Sequence, residues 1–289
     1  MKNNIASIQS RLKNIAQKER KTHQLILIRY FTERVIYRLS ISPFKNHFCL
    51  KGGALLYAFE QETSRPTMDL DLLGLHITNK QSELKTLFAT ICQMPCEEDA
   101  VLFFPDSITT SEIQKEGMYS GIRIKVEGRL GSIRQILQID IGFGDVVTPA
   151  PVEMSYPVLL PMPIPQIIAY SVETVIAEKF EAMISLAEQN SRMKDFYDVF
   201  MLLQRRNFDE AILQDAINNT FQKREANFIE NHVLFTKAFA ENPKRVQEWK
   251  AFLLKMNKNM VIEHIDFTTV MSFIVQRLQP IYDTLNKRY

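Results

Sequence analysis

Long hydrophobic runs and cysteine pairs are missing from this sequence. No apolar stretch approaches the roughly 20 residues that a membrane-spanning helix needs, and residues 1–20 contain no signal-peptide core. We therefore expect a cytoplasmic protein without a membrane segment. Among the three cysteines, Cys92 and Cys96 are four residues apart with no second Cys or His pair nearby, so neither a zinc site nor a disulfide framework is indicated.

Repeats and low-complexity segments are absent as well. Hydrophobic residues make up 46% of the 289 residues and charged residues 24%, which is the composition of an ordered globular protein rather than a disordered chain. The chain is long enough to form two domains.

Acidic residues are scarce at the N-terminus. Residues 1–45 contain only Glu19 and Glu33 as acids, although the whole chain has a net charge of only +2. A basic helical surface can bind nucleic acid or an acidic partner protein, but it is more often simply solvated. The basic residues of this segment are Lys2, Arg11, Lys13, Lys18, Arg20, Lys21, Arg29, Arg34, Arg38 and Lys45.

Hydrophobic periodicity predicts an α+β first half. Apolar residues recur about every 3.6 positions over residues 4–40, which indicates a helix that ends at Ser42 and Pro43. Alternating segments then indicate strands, including an antiparallel meander whose middle strand reads GIRIKVEG. The further predicted strands are 47–50, the segment around Asp69, 101–104, 119–126 and 136–143, and the further helices are 54–62 and 82–94.

A proline-rich segment separates this half from a helical one. Six prolines within residues 148–165 exclude a continuous helix or a central strand and indicate a linker or an extended arm. We therefore predict two domains, residues 1–160 and an all-α domain of residues 161–289. The helices predicted beyond the prolines are 166–189, 191–205, 209–224, 227–240, 243–256 and 267–286.

Asp69 and Asp71 are candidates for a metal site. Carboxylates two residues apart on a strand point to the same side, while Met68, Leu70 and Leu72 would face the core. Their hard oxygen atoms suit Mg²⁺, which commonly binds one or two carboxylates together with substrate phosphates. Such a pair also arises by chance, so supporting residues are needed.

Support comes from Asp140 and from a glycine turn. Apolar residues alternate with Gln138 and Asp140 in the predicted strand, so Asp140 faces away from the core and would join the acid pair if the two strands are neighbours. Asp145, in the next turn, competes for this role. Gly52 and Gly53 precede a helix, where backbone amides can approach a phosphate, although a simple tight turn would have the same sequence.

The helical half contains a second group of charged residues. Lys179 lies in an otherwise apolar and acidic helix, and Ser191 could cap a helix on which Asp195 and Asp198 share a face. These charges border residues that must be buried, so they could reach a cleft between domains. Alternatively, Lys194 and Asp198 could form a surface pair of little energetic weight.

Together these residues resemble the AbiEii/AbiGii toxin family of nucleotidyltransferases. The resemblance covers residues 45–205, and implies a polymerase-beta-like nucleotidyltransferase core with a mixed sheet and flanking helices, followed by a helical domain that contributes to the active-site cleft. The matching residues are Lys51, Gly52, Gly53, Leu55, Arg65, Thr67, Asp69, Leu70, Asp71, Ile139, Asp140, Ile141, Glu178, Lys179, Arg192, Lys194, Asp195, Phe196, Tyr197 and Asp198.

The resemblance also implies roles for the acidic residues. Asp69 and Asp71 would hold Mg²⁺, and Asp140 would be the third acid, acting as a base or sharing a second metal ion. An acceptor hydroxyl would attack the α-phosphorus of an NTP and pyrophosphate would leave. Asp195 or Asp198 would position Lys179 or serve as the base.

Nucleotide binding is implied for a separate set of residues. Gly52 and Gly53 would hold the triphosphate. Many nucleotidyltransferases have Gly-Ser at this position and contact phosphate through the serine hydroxyl. This chain lacks that hydroxyl, so backbone amides would make the contact. Arg65 is a candidate second phosphate contact, since its planar guanidinium matches phosphate oxygens. Lys51 and Thr67 complete this predicted set, and Lys179 would contact the phosphates from the helical domain.

The resemblance further implies the toxin of a toxin–antitoxin or phage-abortive-infection pair, with a separately encoded antitoxin. A tRNA 3′ end is the leading acceptor, with other RNA or a protein as alternatives, and the basic N-terminal helices would bind RNA phosphates. A phosphatase with an Asp-x-Asp nucleophile is disfavoured, because Pro66 lies just before the acid pair, which would therefore begin a strand rather than end one. A metal-dependent glycosyltransferase and a non-catalytic binding module with a degenerate nucleotidyltransferase fold remain open.

Overall fold

The computed structural model describes residues 2–61, 65–114, 120–257 and 265–287. The chain forms two compact units, one of Met1–Gly144 with Val152–Ala169 and one of Asp145–Pro151 with Tyr170–Tyr289. No single cut in the sequence separates them, because residues 166–169 add a strand to the first unit's sheet. Residues 62 and 119, the ends of two predicted elements, lie outside the described residues. No helix in the described part of the chain is long and apolar enough to cross a membrane.

A seven-stranded mixed sheet forms the centre of the first unit. Its strand order is β3-β4-β5-β2-β1-β7-β6, with β2 parallel to β5, β1 parallel to β7, and every other neighbouring pair antiparallel. The predicted α+β class and the meander are therefore confirmed. The strands are β1 (Phe48–Lys51), β2 (Asp69–Gly74), β3 (Leu102–Gln114), β4 (Ser120–Leu130), β5 (Ile133–Phe143), β6 (Val152–Ser155) and β7 (Gln166–Ala169).

Four helices accompany this sheet, and one prediction about them was wrong. The continuous helix predicted over residues 4–40 is two helices, because Arg20 adopts a left-handed backbone (φ 53°) and the Thr22 hydroxyl caps a new helix by accepting from the Leu25 amide. The helices are α1 (Lys2–Lys18), α2 (His23–Ile41), α3 (Gly52–Glu60) and α4 (Gln81–Cys92).

Most residues of helix α2 are buried, including three of the basic residues noted in the N-terminal segment. Arg38 donates to both carboxylate oxygens of Asp99, at 2.7 and 3.3 Å, and Arg34 lies 3.3 Å from Glu33. Burial raises the pKa of Glu33 to about 8. RNA binding by the basic N-terminal helices stays a prediction, but four of the ten basic residues are buried and cannot take part: Lys21, Arg29, Arg34 and Arg38.

The proline-rich segment is ordered against α2 rather than free. Strands β6 and β7 pair within or next to it, the Glu33 carboxylate accepts from the Leu159 amide at 2.8 Å, and Arg34 donates to the Pro163 carbonyl at 3.2 Å. The helix predicted from residue 166 was therefore wrong over its first six residues, of which the first four form β7. These residues form a strand rather than a helix because they can pair in parallel with β1.

The described residues of the second unit form six α-helices. Its core is rich in aromatic residues, with Phe180 contacting Phe221 and Tyr282 at ring-centroid distances of 5.9 and 6.2 Å. The helix predicted over residues 227–240 was wrong, because only a 3-10 turn (Val233–Phe235) and one short helix form there. The helices are α5 (Val172–Leu186), α6 (Met193–Arg205), α7 (Glu210–Lys223), α8 (Lys237–Ala240), α9 (Pro243–Asn257) and α10 (Phe267–Asn286).

Candidate metal and nucleotide site

The glycine turn between β1 and α3 lies directly against the acid pair. Lys51 is the register partner of Asp71, and Gly52 follows with a left-handed backbone (φ 65°). A side chain at Gly52 would overlap the Asp71 carboxylate, and one at Gly53 would overlap Thr67. The two glycines therefore allow the first turn of α3 to approach β2, and place the positive end of a helix beside a carboxylate.

Three carboxylates converge at the centre of the sheet. Asp69 and Asp71 project from β2, and Asp140, on β5, is the register partner of Asp71. One oxygen from each carboxylate lies within 4.8 Å of the other two, and all three residues are half-buried. Three hard oxygen donors at this separation are a donor set that fits a divalent cation such as Mg²⁺.

Of the three residues predicted to face the core opposite the acids, two are buried. Leu70 and Leu72 are buried, as expected for residues opposite the acids, but Met68 is exposed. Met68 precedes the strand, which begins at Asp69, so it lacks the neighbouring strand that would hold it over the core.

Arg123 is the residue at this site that sequence reasoning missed. It lies on β4 opposite Asp140 and donates to both carboxylate oxygens, from Nε at 2.9 Å and from Nη2 at 2.8 Å. These hydrogen bonds raise the pKa of Arg123 above its ordinary value. The GIRIKVEG alternation already placed Arg123 on the polar side of its strand, but only the β4–β5 register shows that it faces Asp140.

The loop before β2 contributes Thr67 to the support of the pair. The Thr67 hydroxyl donates to Asp69 Oδ1 at 3.0 Å. This contact orients a candidate metal ligand, so Thr67 has a structural task besides the nucleotide contact that was predicted for it. Arg65 lies two residues earlier, in the same loop. Nucleotide contacts of Lys51, Gly52, Gly53, Arg65 and Thr67 stay predictions.

Asp145 lies outside this cluster. It belongs to the second unit, where its carboxylate accepts from Arg224 at 3.1 Å. The same guanidinium pairs with Glu178 and Glu181, at 3.2 and 2.8 Å. Of the two competing acids, the structure thus brings Asp140 to the pair on β2.

A second charged cluster is built within the helical unit. Lys179, on α5, lies 2.7 Å from Asp195 and 2.8 Å from Asp198, both on α6. Arg192 lies 2.7 Å from the other oxygen of Asp195. The interpretation of Asp198 as part of a surface pair is not supported, because Asp198 is buried and pairs with Lys179. The predicted Ser191 cap was wrong, since Arg192 occupies the N-cap position.

The charges of this second cluster are stabilised by one another. Burial by itself would raise the pKa of Asp195, but the nearby charges of Lys179 and Arg192 outweigh it and hold that pKa below its ordinary value. Asp195 is therefore a carboxylate at neutral pH. The ammonium of Lys179 is fixed between two carboxylates, as expected for a residue that presents a constant positive charge.

Solved structures of similar fold include two from Helicobacter pylori. The H. pylori protein assigned as a nucleotidyltransferase has a TM-score of 0.53 and 13% identity, and the alignment covers 93% of this chain and 99% of that one. That likeness shows a shared fold. JHP933 from Helicobacter pylori has a TM-score of 0.48 and 15% identity, with 93% and 96% of the two chains covered. No curated protein matches significantly.

A sequence match identifies the family. Residues 34–268 match the family described as the nucleotidyl transferase AbiEii toxin of type IV toxin–antitoxin systems, which is most of the chain. The predicted resemblance is confirmed over a longer range than residues 45–205. This chain belongs to the AbiEii family of nucleotidyl transferase toxins.

Proposed function

We propose that this protein transfers a nucleoside monophosphate from an NTP to an acceptor hydroxyl at Asp69, Asp71 and Asp140. The observation that supports the proposal most strongly is the convergence of these carboxylates beside the glycine turn that begins α3. Family membership supplies the reaction class.

The carboxylates and the glycine turn have different tasks in this reaction. Asp69 and Asp71 would hold Mg²⁺, which when bound would neutralise charge on the triphosphate and on the leaving pyrophosphate. Backbone amides at Gly52 and Gly53 would hold the phosphate oxygens at the positive end of α3. Positioning and charge neutralisation, rather than covalent catalysis, would lower the barrier.

Asp140 would act on the acceptor. Its carboxylate would accept the proton of the acceptor hydroxyl as that oxygen bonds to the α-phosphorus and the bond to pyrophosphate breaks. Arg123 would hold Asp140 in one orientation through its two hydrogen bonds. Arg123 is thus proposed as a positioning residue.

Lys179 is proposed as a further phosphate contact, as the family resemblance implies. Within its own unit, Asp195 and Asp198 keep its ammonium charged and restrict its rotamers. We assign both acids to positioning Lys179, because each already neutralises it at less than 3 Å.

The proposed acceptor is RNA, with a tRNA 3′ end as the leading candidate, and the proposed biological role is phage defence through toxicity. Membership in a type IV toxin–antitoxin family implies an antitoxin as partner. Mg²⁺ dependence, the choice of NTP and the acceptor are all addressed by one labelling experiment.

The experiment incubates purified protein with each of four α-³²P-labelled NTPs and total RNA, with Mg²⁺ or with EDTA. We expect label to enter RNA from at least one NTP, only with Mg²⁺, and not with Asp71→Asn. Asp215→Asn, which changes an exposed aspartate on α7, is the matched control and should remain active. Incorporation that persists in Asp71→Asn would refute the proposed site, and label entering protein instead of RNA would change the acceptor.

A further inference from the structure

One side of the β3–β4–β5 sheet is exposed, and we call it the open face. On β4 the buried residues Ile122, Ile124 and Val126 alternate with residues that point the other way. Register pairing extends the second set across all three strands. The open face consists of Leu102 and Phe104 on β3, Lys125, Glu127 and Arg129 on β4, and Arg134 and Ile136 on β5.

The open face is continuous with the acid cluster. Along β5, Asp140 is followed at two-residue steps by Gln138, Ile136 and Arg134, which lie on the same side of the strand. Arg134 lies six positions from Asp140, or about 20 Å along the strand at about 3.3 Å per residue. An elongated ligand bound to the open face would therefore lie along β5 and extend toward Asp140, in the proposed reacting centre.

The charge of the open face suits a phosphate backbone. Lys125 is exposed, and the side chains of Arg129 and Arg134 are 49% and 63% exposed. Both guanidiniums donate to Glu127 at 2.6 Å, so this carboxylate fixes two cations while neutralising only one. The face keeps a positive balance, although Asp106, in the irregular part of β3, is an exposed acid nearby.

Apolar and aromatic side chains lie among these cations. Leu102 and Ile136 are 67% and 45% exposed, and the Arg129 guanidinium lies 4.8 Å from the centre of the Phe104 ring. Exposed apolar groups and an aromatic ring provide contacts for unstacked bases, while cations between them pair with phosphates. Four-stranded sheets in known RNA-binding domains bind single-stranded RNA on an open surface by stacking bases on aromatic side chains.

We infer that the open face binds the single-stranded end of the RNA acceptor and directs its terminal hydroxyl toward Asp140. This inference rests on the proposed function and names the surface that recognises the acceptor. It places the main RNA surface on the sheet rather than on α2, whose buried arginines cannot reach RNA phosphates.

The test measures binding of a 5′-fluorescein-labelled 12-nucleotide single-stranded RNA by fluorescence anisotropy in EDTA, across a series of salt concentrations. Lys125→Glu should raise Kd about 10-fold and lower the slope of log Kd against log salt by about 0.7, the value for one lost phosphate contact on a single strand. Lys125→Ala should show the same change of slope with a smaller change in Kd. Both variants should unfold at the wild-type temperature, because Lys125 is exposed.

Two charge-matched controls separate the open face from other surfaces. Lys80→Glu changes an exposed lysine at the start of α4, and Lys18→Glu changes an exposed lysine at the end of α1. Both should keep Kd within twofold of wild type. A large loss in Lys18→Glu with none in Lys125→Glu would overturn the inference in favour of the N-terminal helices.

A second readout distinguishes failure of this inference from failure of the proposed function. In the labelling assay, Lys125→Glu should raise the KM for RNA and leave the KM for NTP unchanged. Active transfer to RNA with an unchanged RNA KM would overturn the open face while leaving the reaction in place. Transfer of label to protein, with no RNA binding by wild type, would also overturn it. RNA binding that depends on Lys125 would support the open face even if wild type transferred no nucleotide.

Discussion

The two units each contain a cluster of charged side chains, and the clusters are balanced differently. In the sheet unit, Asp69, Asp71 and Asp140 place three carboxylates together with Arg123 as the paired cation on Asp140. In the helical unit, Lys179 and Arg192 are paired with two buried carboxylates at 2.7 to 2.8 Å. The first cluster brings three carboxylates together, and the second pairs two cations with two carboxylates.

This difference suits the sheet cluster to binding a metal ion and the helical cluster to holding its own side chains in place. Three half-buried carboxylates whose oxygens lie within 4.8 Å of one another can share a cation from solution, so the sheet cluster is suited to metal binding. Buried ions that neutralise one another are costly to separate, so the helical cluster holds its own geometry. Changes to the first cluster should therefore alter chemistry with little effect on folding, and changes to the second should alter stability.

Apart from Asp71→Asn, the change Asp140→Asn should have the largest effect on activity. Loss of the third acid should reduce kcat for nucleotide transfer by about 10²- to 10³-fold, because the acceptor hydroxyl loses its base. The thermal unfolding temperature should stay within a few degrees of wild type. Asp145→Asn is the matched comparison and should leave kcat within twofold, since Asp145 pairs with Arg224 in the other unit. A reversed outcome would move the third acid to Asp145.

Lys179→Met should have the largest effect on stability. Removing the ammonium leaves Asp195 and Asp198 buried with one cation fewer, which should lower the free energy of unfolding by about 3 kcal/mol. Urea denaturation measures this value. Lys250→Met, at an exposed position of α9, should change it by less than about 0.5 kcal/mol. A loss below about 1 kcal/mol in Lys179→Met would show that the cluster is not a coupled buried network.

Arg123→Gln tests whether Arg123 acts by orienting Asp140 or by adding a positive charge beside the carboxylates. Without its two hydrogen bonds, Asp140 loses a fixed orientation, and kcat should fall about 10-fold. The Mg²⁺ concentration for half-maximal rate should not rise, because removing a positive charge beside the carboxylates favours a cation. Steady-state kinetics at varied Mg²⁺ measure both values. An increased Mg²⁺ requirement with unchanged kcat would contradict the positioning role.

Gly52→Ala tests the approach of α3 to the acid pair. The change adds a methyl group that overlaps Asp71 and forces alanine into a left-handed backbone, which should cost about 1–2 kcal/mol of stability and reduce activity strongly. Gly131→Ala is a matched control with φ 61° in the β4–β5 turn. It should lose similar stability and retain activity.

The smallest expected effect is the contribution of Asp195 to the pH dependence of the free energy of unfolding. The pKa of Asp195 is depressed in the folded protein, so its contribution to stability is present above the unfolded-state pKa and is lost as the pH falls through the folded-state pKa. Asp195→Asn should therefore flatten the loss of stability below about pH 4. Urea titrations at pH 3 to 7 measure this, and an unchanged slope would show that Asp195 is not stabilised as described.

The sequence predicts the side of the strand that each acidic residue faces, because local alternation of apolar and polar residues determines it. Spacing alone places Asp69 and Asp71 on one side, and alternation places Asp140 away from the core. Their convergence depends on β2 pairing with β5, which joins residues about 70 positions apart and has no local signal. Arg123 was missed for the same reason.

The errors in secondary structure also follow from tertiary contacts. Residues 166–169 continue a helical pattern in sequence but form a strand beside β1. The break between α1 and α2 depends on one left-handed residue, Arg20, and on the Thr22 cap. The burial of Asp198 could not be read from α6 alone, because it requires Lys179 from α5.

The most direct test of the account is metal binding by the two clusters. Mn²⁺ titration of the protein without nucleotide, followed by electron paramagnetic resonance, reports metal occupancy without turnover. The account predicts that wild type binds Mn²⁺, that Asp71→Asn loses at least about 10-fold in affinity, and that Asp195→Asn retains wild-type affinity at a temperature where it is folded. Wild-type affinity in Asp71→Asn would contradict the assignment of the metal site to the sheet cluster.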